Sequence, residues 1–365
     1  MTRSIALGLV ACFASACSTY TPPTPFQPRA LPVRTSPVLE VSSEANWVSS
    51  LAVRDARRDG VYTRAAGGMI QVIRREAGTE RVLFQTAGYE GWAEFGALAS
   101  RSDSQVVLAV DDENRDRLVA FDGSVQTDLS ARVEAAAIVR RADPSLNIEA
   151  VDIDADGTIA LALLVGGQAG EAPFHQLCFL RNTGDVCEGF DALGELSMPD
   201  ALVFESGTVT LLMDNVLHAR DTSGAWTRLA SSAWDLRGTE DGHVVYFTTA
   251  EWPSDQGTFH IVGDATPHPV LSPSWLYGHT RHGLWNVRRD WETTRNCGVT
   301  WSTCNESTIW EQLVLIHIAL DGTETEVGHF DNATGSTGGF SAVGLSDGSV
   351  RIETGVASFT VAPPR

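Results

Sequence analysis

Short apolar runs separated by glycine-bearing turns recur from about residue 44 to the C-terminus. The turns carry Asp59-Gly60, Asp122-Gly123, Asp156-Gly157, Ser206-Gly207, Asp241-Gly242, Asp321-Gly322 and Asp347-Gly348. Asp-Gly between β-rich runs signals a hairpin, because glycine accepts the positive φ that the turn requires. The runs fall into groups of four: 150–154, 158–165, 174–181 and 186–190; then 201–205, 208–213, 216–220 and 225–229; then 233–238, 243–249, 258–262 and 269–271. The second run of each group is the most apolar, as in Ile159-Ala160-Leu161-Ala162-Leu163-Leu164-Val165. A strand apolar on both faces must be covered on both faces. The last runs are more polar, as an outer edge allows.

Comparable turns at Asp59-Gly60, Ser102-Asp103-Ser104, Asp156-Gly157, Ser206-Gly207, Asp241-Gly242, His282-Gly283 and Asp347-Gly348 define seven units. Their spacing is irregular but stays near the ~40–50 residues of propeller repeats. The body therefore resembles a β-propeller at the level of the superfamily. The expected fold is all-β, with seven four-stranded blades; six or eight blades or an array of β-sandwiches are the alternatives. The last unit, 340–362, is short of one strand, which residues 36–43 would supply. Joining the chain ends in one blade would remove open sheet edges. No particular propeller family is indicated. Trp234-Asp235 begins a run rather than ending one, and the Asp-box-like turn 221–226 occurs once. One helix is expected at 131–140, capped by Ser130 and stopped before Pro144.

The first seventeen residues, MTRSIALGLVACFASAC, are of another kind. Arg3 precedes a nine-residue apolar stretch, and the small residues Ala14, Ser15 and Ala16 lead to Cys17. The stretch is too short for a spanning helix, which needs ~20 residues. Ala14-Ser15-Ala16-Cys17 resembles the lipobox of bacterial lipoproteins; Leu9-Val10-Ala11-Cys12 is a second match with a shorter leader. The resemblance implies that Cys17 is acylated and becomes the mature N-terminus. It implies a partner, the lipid bilayer, and a place in the cell envelope, most simply the outer membrane. Pro22, Pro23, Pro25, Pro28, Pro32 and Pro37 follow, an extended and semi-rigid composition. The expected organisation is a signal peptide at 1–16, a tether at 17–37 and the β-domain at 38–365.

Composition narrows the chemistry. All 26 basic residues are arginine, so Schiff-base lysines, Ser–Lys dyads and phosphate-loop lysines are excluded. A net charge of −20 disfavours nucleic acid as a partner. No G-x-S-x-G elbow is present. No catalytic residue is singled out and no cofactor is expected.

Cys178, Cys187, Cys297 and Cys304 remain once Cys12 and Cys17 are set aside. An even number in an oxidising compartment suggests disulfides, with three connectivities open. Proximity favours Cys178–Cys187 across the turn at Asn182-Thr183-Gly184-Asp185, and Cys297–Cys304. The spacings do not suit zinc. The acidic stretch Asp152–Gly157 begins like a calcium loop, but Leu163 stands where the closing acid belongs, so it reads as a solvated strand and turn. His279 and His282 lack accompanying carboxylates, and no metal is expected. Asp111–Asp116 reads as a solvated tip, with a cation or basic partner as the alternative.

The segment 288–309 is the most unusual. It holds Arg288, Arg289, Trp291, Arg295 and Trp301 and reads as a long stapled loop. Long loops in compact domains are often functional, and Trp and Arg are enriched at binding hot spots. Trp92 and Trp252 should share its face. These seven residues are the candidate ligand-binding set, for a protein, peptide or glycan partner. A glycan-active enzyme with acids and arginines in the axial funnel is the second reading, and a structural envelope component the third.

Overall fold

The structure is a computed structural model. It describes residues 29–40, 55, 57–58, 60–76, 79–88, 96–112, 115–139, 144–166, 174–189, 199–238, 242–249, 257–270, 276–280, 283–297, 304–319, 321–332, 340–344, 348–354 and 358–364.

Twenty-six strands form seven small antiparallel sheets among these residues. Sheet 1 comprises β1 (Val61–Ala66), β2 (Met69–Glu76) and β3 (Thr79–Ala87). Sheet 2 comprises β4 (Leu98–Ser102), β5 (Gln105–Val110), β6 (Arg117–Phe121) and β7 (Gln126–Asp128). Sheet 3 comprises β8 (Leu146–Ile153), β9 (Ile159–Val165), β10 (Phe174–Leu180) and β11 (Val186–Gly189). Sheet 4 comprises β12 (Pro199–Glu205), β13 (Thr208–Met213), β14 (Val216–Arg220) and β15 (Trp226–Ser231). Sheet 5 comprises β16 (Ala233–Gly238), β17 (Val244–Thr249), β18 (Gly257–Ile261) and β19 (His268–Val270). Sheet 6 comprises β20 (Leu276–Thr280), β21 (Gly283–Cys297), β22 (Cys304–Ile318) and β23 (Glu324–Asn332). Sheet 7 comprises β24 (Phe340–Gly344), β25 (Val350–Thr354) and β26 (Ser358–Val361).

Each sheet is an up-and-down meander in chain order. Consecutive sheets bury their faces against each other. Val107, Ala109 and Leu118 of sheet 2 pack on Ile148, Leu161 and Leu163 of sheet 3. Ala160 and Phe179 of sheet 3 pack on Phe204 and Leu211 of sheet 4. Similar cores join sheets 1 and 2, 4 and 5, 5 and 6, and 6 and 7. First strands adjoin first strands, as β4 meets β8, β8 meets β12 and β20 meets β24. Sheets stacked in this way are β-propeller architecture. The second strands β5, β9 and β13 are almost wholly buried, whereas β7 is exposed throughout and β15 nearly so. That gradient is the one the apolar runs predict.

Three expectations need correction. Residues 288–297 and 304–309 are not a loop: β21 and β22 continue as paired strands whose register runs from Leu284↔Ile318 to Cys297↔Cys304, and 298–303 lie outside the described residues. The ladder runs outward through one irregularity at Glu292/Thr293. The helix is shorter than expected, α1 (Ser130–Ala136), and Ser130 lies inside it rather than capping it. Its hydroxyl donates instead to Asp128 at 2.6 Å. Finally, the described part of 36–43 does not pair with sheet 7. Val38 bridges His329 of β23 in parallel, and Leu39 inserts between sheets 6 and 7.

The disulfide Cys178–Cys187 forms between register partners of β10 and β11. Cys297 and Cys304 are register partners too, but their side chains lie outside the described residues.

Candidate functional site

Three constellations concentrate charge or exposed aromatic surface. The first closes one end of the sheet stack. Arg57, in the turn leading into β1, is 2% exposed. It donates to Asp152 Oδ2 at 2.9 Å, to the Phe204 carbonyl at 2.7 Å, and to Glu205. Asp152 ends β8 and Glu205 ends β12, so one guanidinium ties sheets 1, 3 and 4. Arg101 of β4 joins from sheet 2, donating to both oxygens of Glu205 at 2.8 and 3.3 Å. Gly238 at the end of β16 lets Arg57 and Val203 pack closely, since a Cβ would lie 3.3 Å from Arg57 Cζ and 3.1 Å from Val203 Cγ1.

Burial pushes the Asp55 carboxyl up to about 7, against the pull of the Arg57 amide that donates to it and with Asp152 adding to the rise. Burial also pushes Asp152 up, against the attraction of Arg57. The Glu205 carboxyl is held low: burial opposes the drop, and Arg101 and Arg57 outweigh it. Of the stretch expected to be a solvated strand and turn, the strand end Asp152–Asp154 is buried as a strut, while the turn at Ala155 and Asp156 is exposed as expected. Asp154, 6% exposed, accepts from the Ser206 and Gly207 amides at 3.2 and 3.0 Å. Alternation does place Asp152 and Asp154 on one face of the strand, but in a stack both faces of a first strand are covered. The signal that sequence reading passed over was Arg57 and Arg58 beside another Asp-Gly turn.

The second constellation lies at the other end of β8. Gly96, Asp111, Asp112, Asp116, Asn147, Ile148 and Glu149 line a cleft of about 380 Å³. Asp116 accepts from the Ile148 amide at 2.6 Å and the Asp112 amide at 3.3 Å. Burial raises its carboxyl to about 6; those two amides lower it, and Asp111 and Glu149 raise it. Glu149 is raised by burial and then by Asp111. Asp111, Asp112 and Asp116, expected on a solvated tip, therefore form one wall of a concave acidic surface, and Glu113 and Asn114 lie outside the described residues. A Cβ on Gly96 would meet Asp111 Oδ1 at 2.9 Å.

The third is the hairpin of β21 and β22. Among the described residues β23 pairs with Glu311–Ile318 and β20 with Gly283–Asn286, while Thr293–Cys297 and Cys304–Thr308 pair with each other beyond those two strands. The structure brings Arg288, Arg289 and Trp291 together on β21. Trp291 is 51% exposed, and the Arg289 guanidinium lies 5.3 Å from its ring centre while pairing with buried Glu311. Arg288 pairs with Asp290 at 3.4 Å. Arg295 stands opposite Glu306 in the ladder, with its side chain outside the described residues. Trp92, Trp252, Trp301 and Cys17 also lie outside them. Among the described residues no group of three or more His, Cys, Asp or Glu side chains is placed to hold a metal ion. No described helix is long and apolar enough to cross a membrane.

No protein-family profile matches the chain, and no curated protein matches it. Solved structures do show likeness. Hsv2 of Kluyveromyces lactis aligns at 8% identity over 81% of this chain and 87% of its own, with a TM-score of 0.41. A prolyl endopeptidase aligns at 10% identity with a TM-score of 0.40, over 80% of this chain and 45% of its own, so the chain spans under half of that enzyme. YCF48 bound to D1 peptide aligns at 10% identity over 75% of this chain and 94% of its own, with a TM-score of 0.35.

Proposed function

We propose that the chain is a membrane-tethered extracytoplasmic β-propeller lipoprotein whose β21–β22 hairpin recognises a protein, peptide or glycan partner. The observation that carries this reading is Trp291, a large aromatic half-exposed on a projecting two-stranded arm with arginine over its ring. Aromatic and guanidinium groups held rigidly at a surface lose little entropy on binding and supply most of an interface's energy. The lipobox-like Ala14-Ser15-Ala16-Cys17 supports the tether.

A photo-crosslinking residue at position 291, in cells, tests the recognition. We expect a discrete adduct at 291 that is absent with the same probe at Val125, which is 55% exposed in the turn between β6 and β7. Identical adducts at both positions would remove the arm from the account. Mass spectrometry of the mature N-terminus tests the tether: acylated Cys17 supports it, and an unmodified terminus refutes it.

One observation favours a second reading, glycan-active chemistry in the acidic cleft. A carboxyl held near 6 beside other carboxylates is the arrangement in which one acid donates a proton while another stays ionised. Release of reducing ends from purified envelope glycan, abolished by Asp116→Asn, would favour it. No release by the wild-type protein rejects it.

A further inference from the structure

Residues 29–39 do not run free to the domain; they lie along sheet 6 as a bound peptide would. Exposure along the segment alternates: Val33 is 99% exposed, Thr35 is exposed, and Arg34 and Ser36 turn inward. That is the period of an extended ligand on a sheet. The Arg34 side chain, 14% exposed, reaches three strands: Asp290 of β21, Gln312 of β22, and Glu326 of β23 at 2.9 Å. Ser36 Oγ donates to Glu326 at 2.7 Å and lies 2.8 Å from His329 Nδ1. Main-chain bonds run both ways at the far end, Leu39 N to His329 O at 2.7 Å and His329 N to Pro37 O at 3.0 Å. Leu39 fills a slot between sheets 6 and 7, and its Cδ2 would lie 2.4 Å from a Cβ on Gly328. At the near end Trp310 Nε1 donates to the Arg29 carbonyl at 2.7 Å, and Gln312 Nε2 donates to the Pro32 carbonyl at 3.2 Å. The Arg29 guanidinium sits 5.7 Å from the Trp310 ring centre and 3.5 Å from Glu292.

We infer that sheet 6 holds a recognition site for an extended peptide bearing arginine, with serine two residues on and leucine five residues on, and that the chain's own segment 29–39 fills it as an exchangeable ligand. The pocket chemistry is complete without any other group. Two carboxylates and a carboxamide surround one guanidinium, an arrangement that selects arginine over lysine by its several planar donors. The prolines at 32 and 37 keep the segment extended before it docks, which lowers the ordering cost. The site adjoins the proposed recognition arm, since Asp290, Glu292, Trp310 and Gln312 belong to the same hairpin, but it does not depend on that reading.

Fluorescence titration with the labelled peptide RALPVRTSPVL, residues 29–39, tests the inference on the full mature chain. In the wild-type protein the tethered segment competes at high effective concentration, so added peptide binds weakly. In Arg34→Glu the chain's own segment is repelled and the added wild-type peptide binds at least ~10-fold tighter. Peptide with Arg34 replaced by alanine fails to bind either protein, and Asp290→Asn with Glu326→Gln added to Arg34→Glu abolishes uptake. Equal affinity for wild type and Arg34→Glu, equal binding of the alanine peptide, or no binding at all overturns the inference. Should Arg34→Glu fail to fold, Arg34→Ala is read by the same titration with the same outcomes. None of these results touches the crosslink at Trp291, so the two proposals fail separately.

Discussion

Strand β8 carries carboxylates at both ends, and the two ends are wired oppositely. Near its C-terminal end Asp152 meets the guanidinium of Arg57, with Glu205, Arg101 and Arg58 close by. Near its N-terminal end burial raises the Glu149 and Asp116 carboxyls, the Ile148 and Asp112 amides pull Asp116 back, and neighbouring carboxylates rather than arginines add to the rise. Glu149 and Asp152 are three positions apart, ~10 Å along a strand. At one end acids are neutralised internally and serve to join sheets. At the other they line an open cleft whose negative charge is turned toward whatever enters. Acidic residues in this chain are therefore not one class, and the net charge of −20 conceals the division.

Removing the central cation should give the largest effect. Arg57→Met leaves Asp152, 3% exposed, and Glu205 facing each other without their shared partner. Breaking a buried pair from one side typically costs ~3–5 kcal/mol. Urea unfolding should show a loss of about 4 kcal/mol at pH 7.5, partly recovered when Asp152→Asn is added. A loss below ~1 kcal/mol would mean that Arg57 is not what joins these sheets.

The hub also makes a prediction about pH. Asp55 titrates near 3.8 when unfolded and at about 7 when folded. Between those values the folded state holds a proton that the unfolded state has released, so the stability this carboxyl contributes falls as pH rises through the window, and that contribution is gone above about 7. Asp55→Asn cannot titrate. Its stability relative to wild type should improve between pH 4 and pH 8, by on the order of 3 kcal/mol. Calorimetry at the two pH values checks the sign, and a variant that loses ground toward pH 8 contradicts the assignment.

Sequence reading located the sheets well because hairpin turns and apolar second strands are local signals. The runs 208–213 and 233–238 coincide with β13 and β16. What it missed were consequences of stacking. Asp152 and Asp154 look solvent-facing by alternation, and only the neighbouring sheet and an arginine nearly a hundred residues earlier show that they are buried. The arm was misjudged as a loop because Thr, Asn and Arg dilute the apolar signal beyond Trp291, although pairing across the hairpin persists to Cys297. Arg288, Arg289 and Trp291 stand out in the sequence because a Trp–Arg cluster is unusual in itself, and the structure brings them together on β21. The docking of 29–39 was invisible because proline content reads the same whether a segment is free or bound.

The smallest effect tests the other end of β8, and its sign separates the two ends. Glu149 is only half-buried, and its carboxyl is raised by burial and by Asp111. Its ionised form is therefore the less favoured one in the folded protein, and the penalty appears as pH rises past the carboxylate range. Glu149→Gln removes the charge while keeping the shape. At pH 8 the variant should be more stable than wild type by about 0.5 kcal/mol, a figure kept small because solvent screens a partly exposed group. At pH 4 the difference should vanish, since wild-type Glu149 is then largely protonated. Moderate salt should shrink the pH 8 gain by screening the repulsion from Asp111. If Glu149→Gln destabilises the protein at pH 8, as loss of a hub carboxylate would, the cleft acids are structural partners too. The distinction between the two ends of β8 would then collapse, and with it the case for the cleft as a surface left open to a ligand.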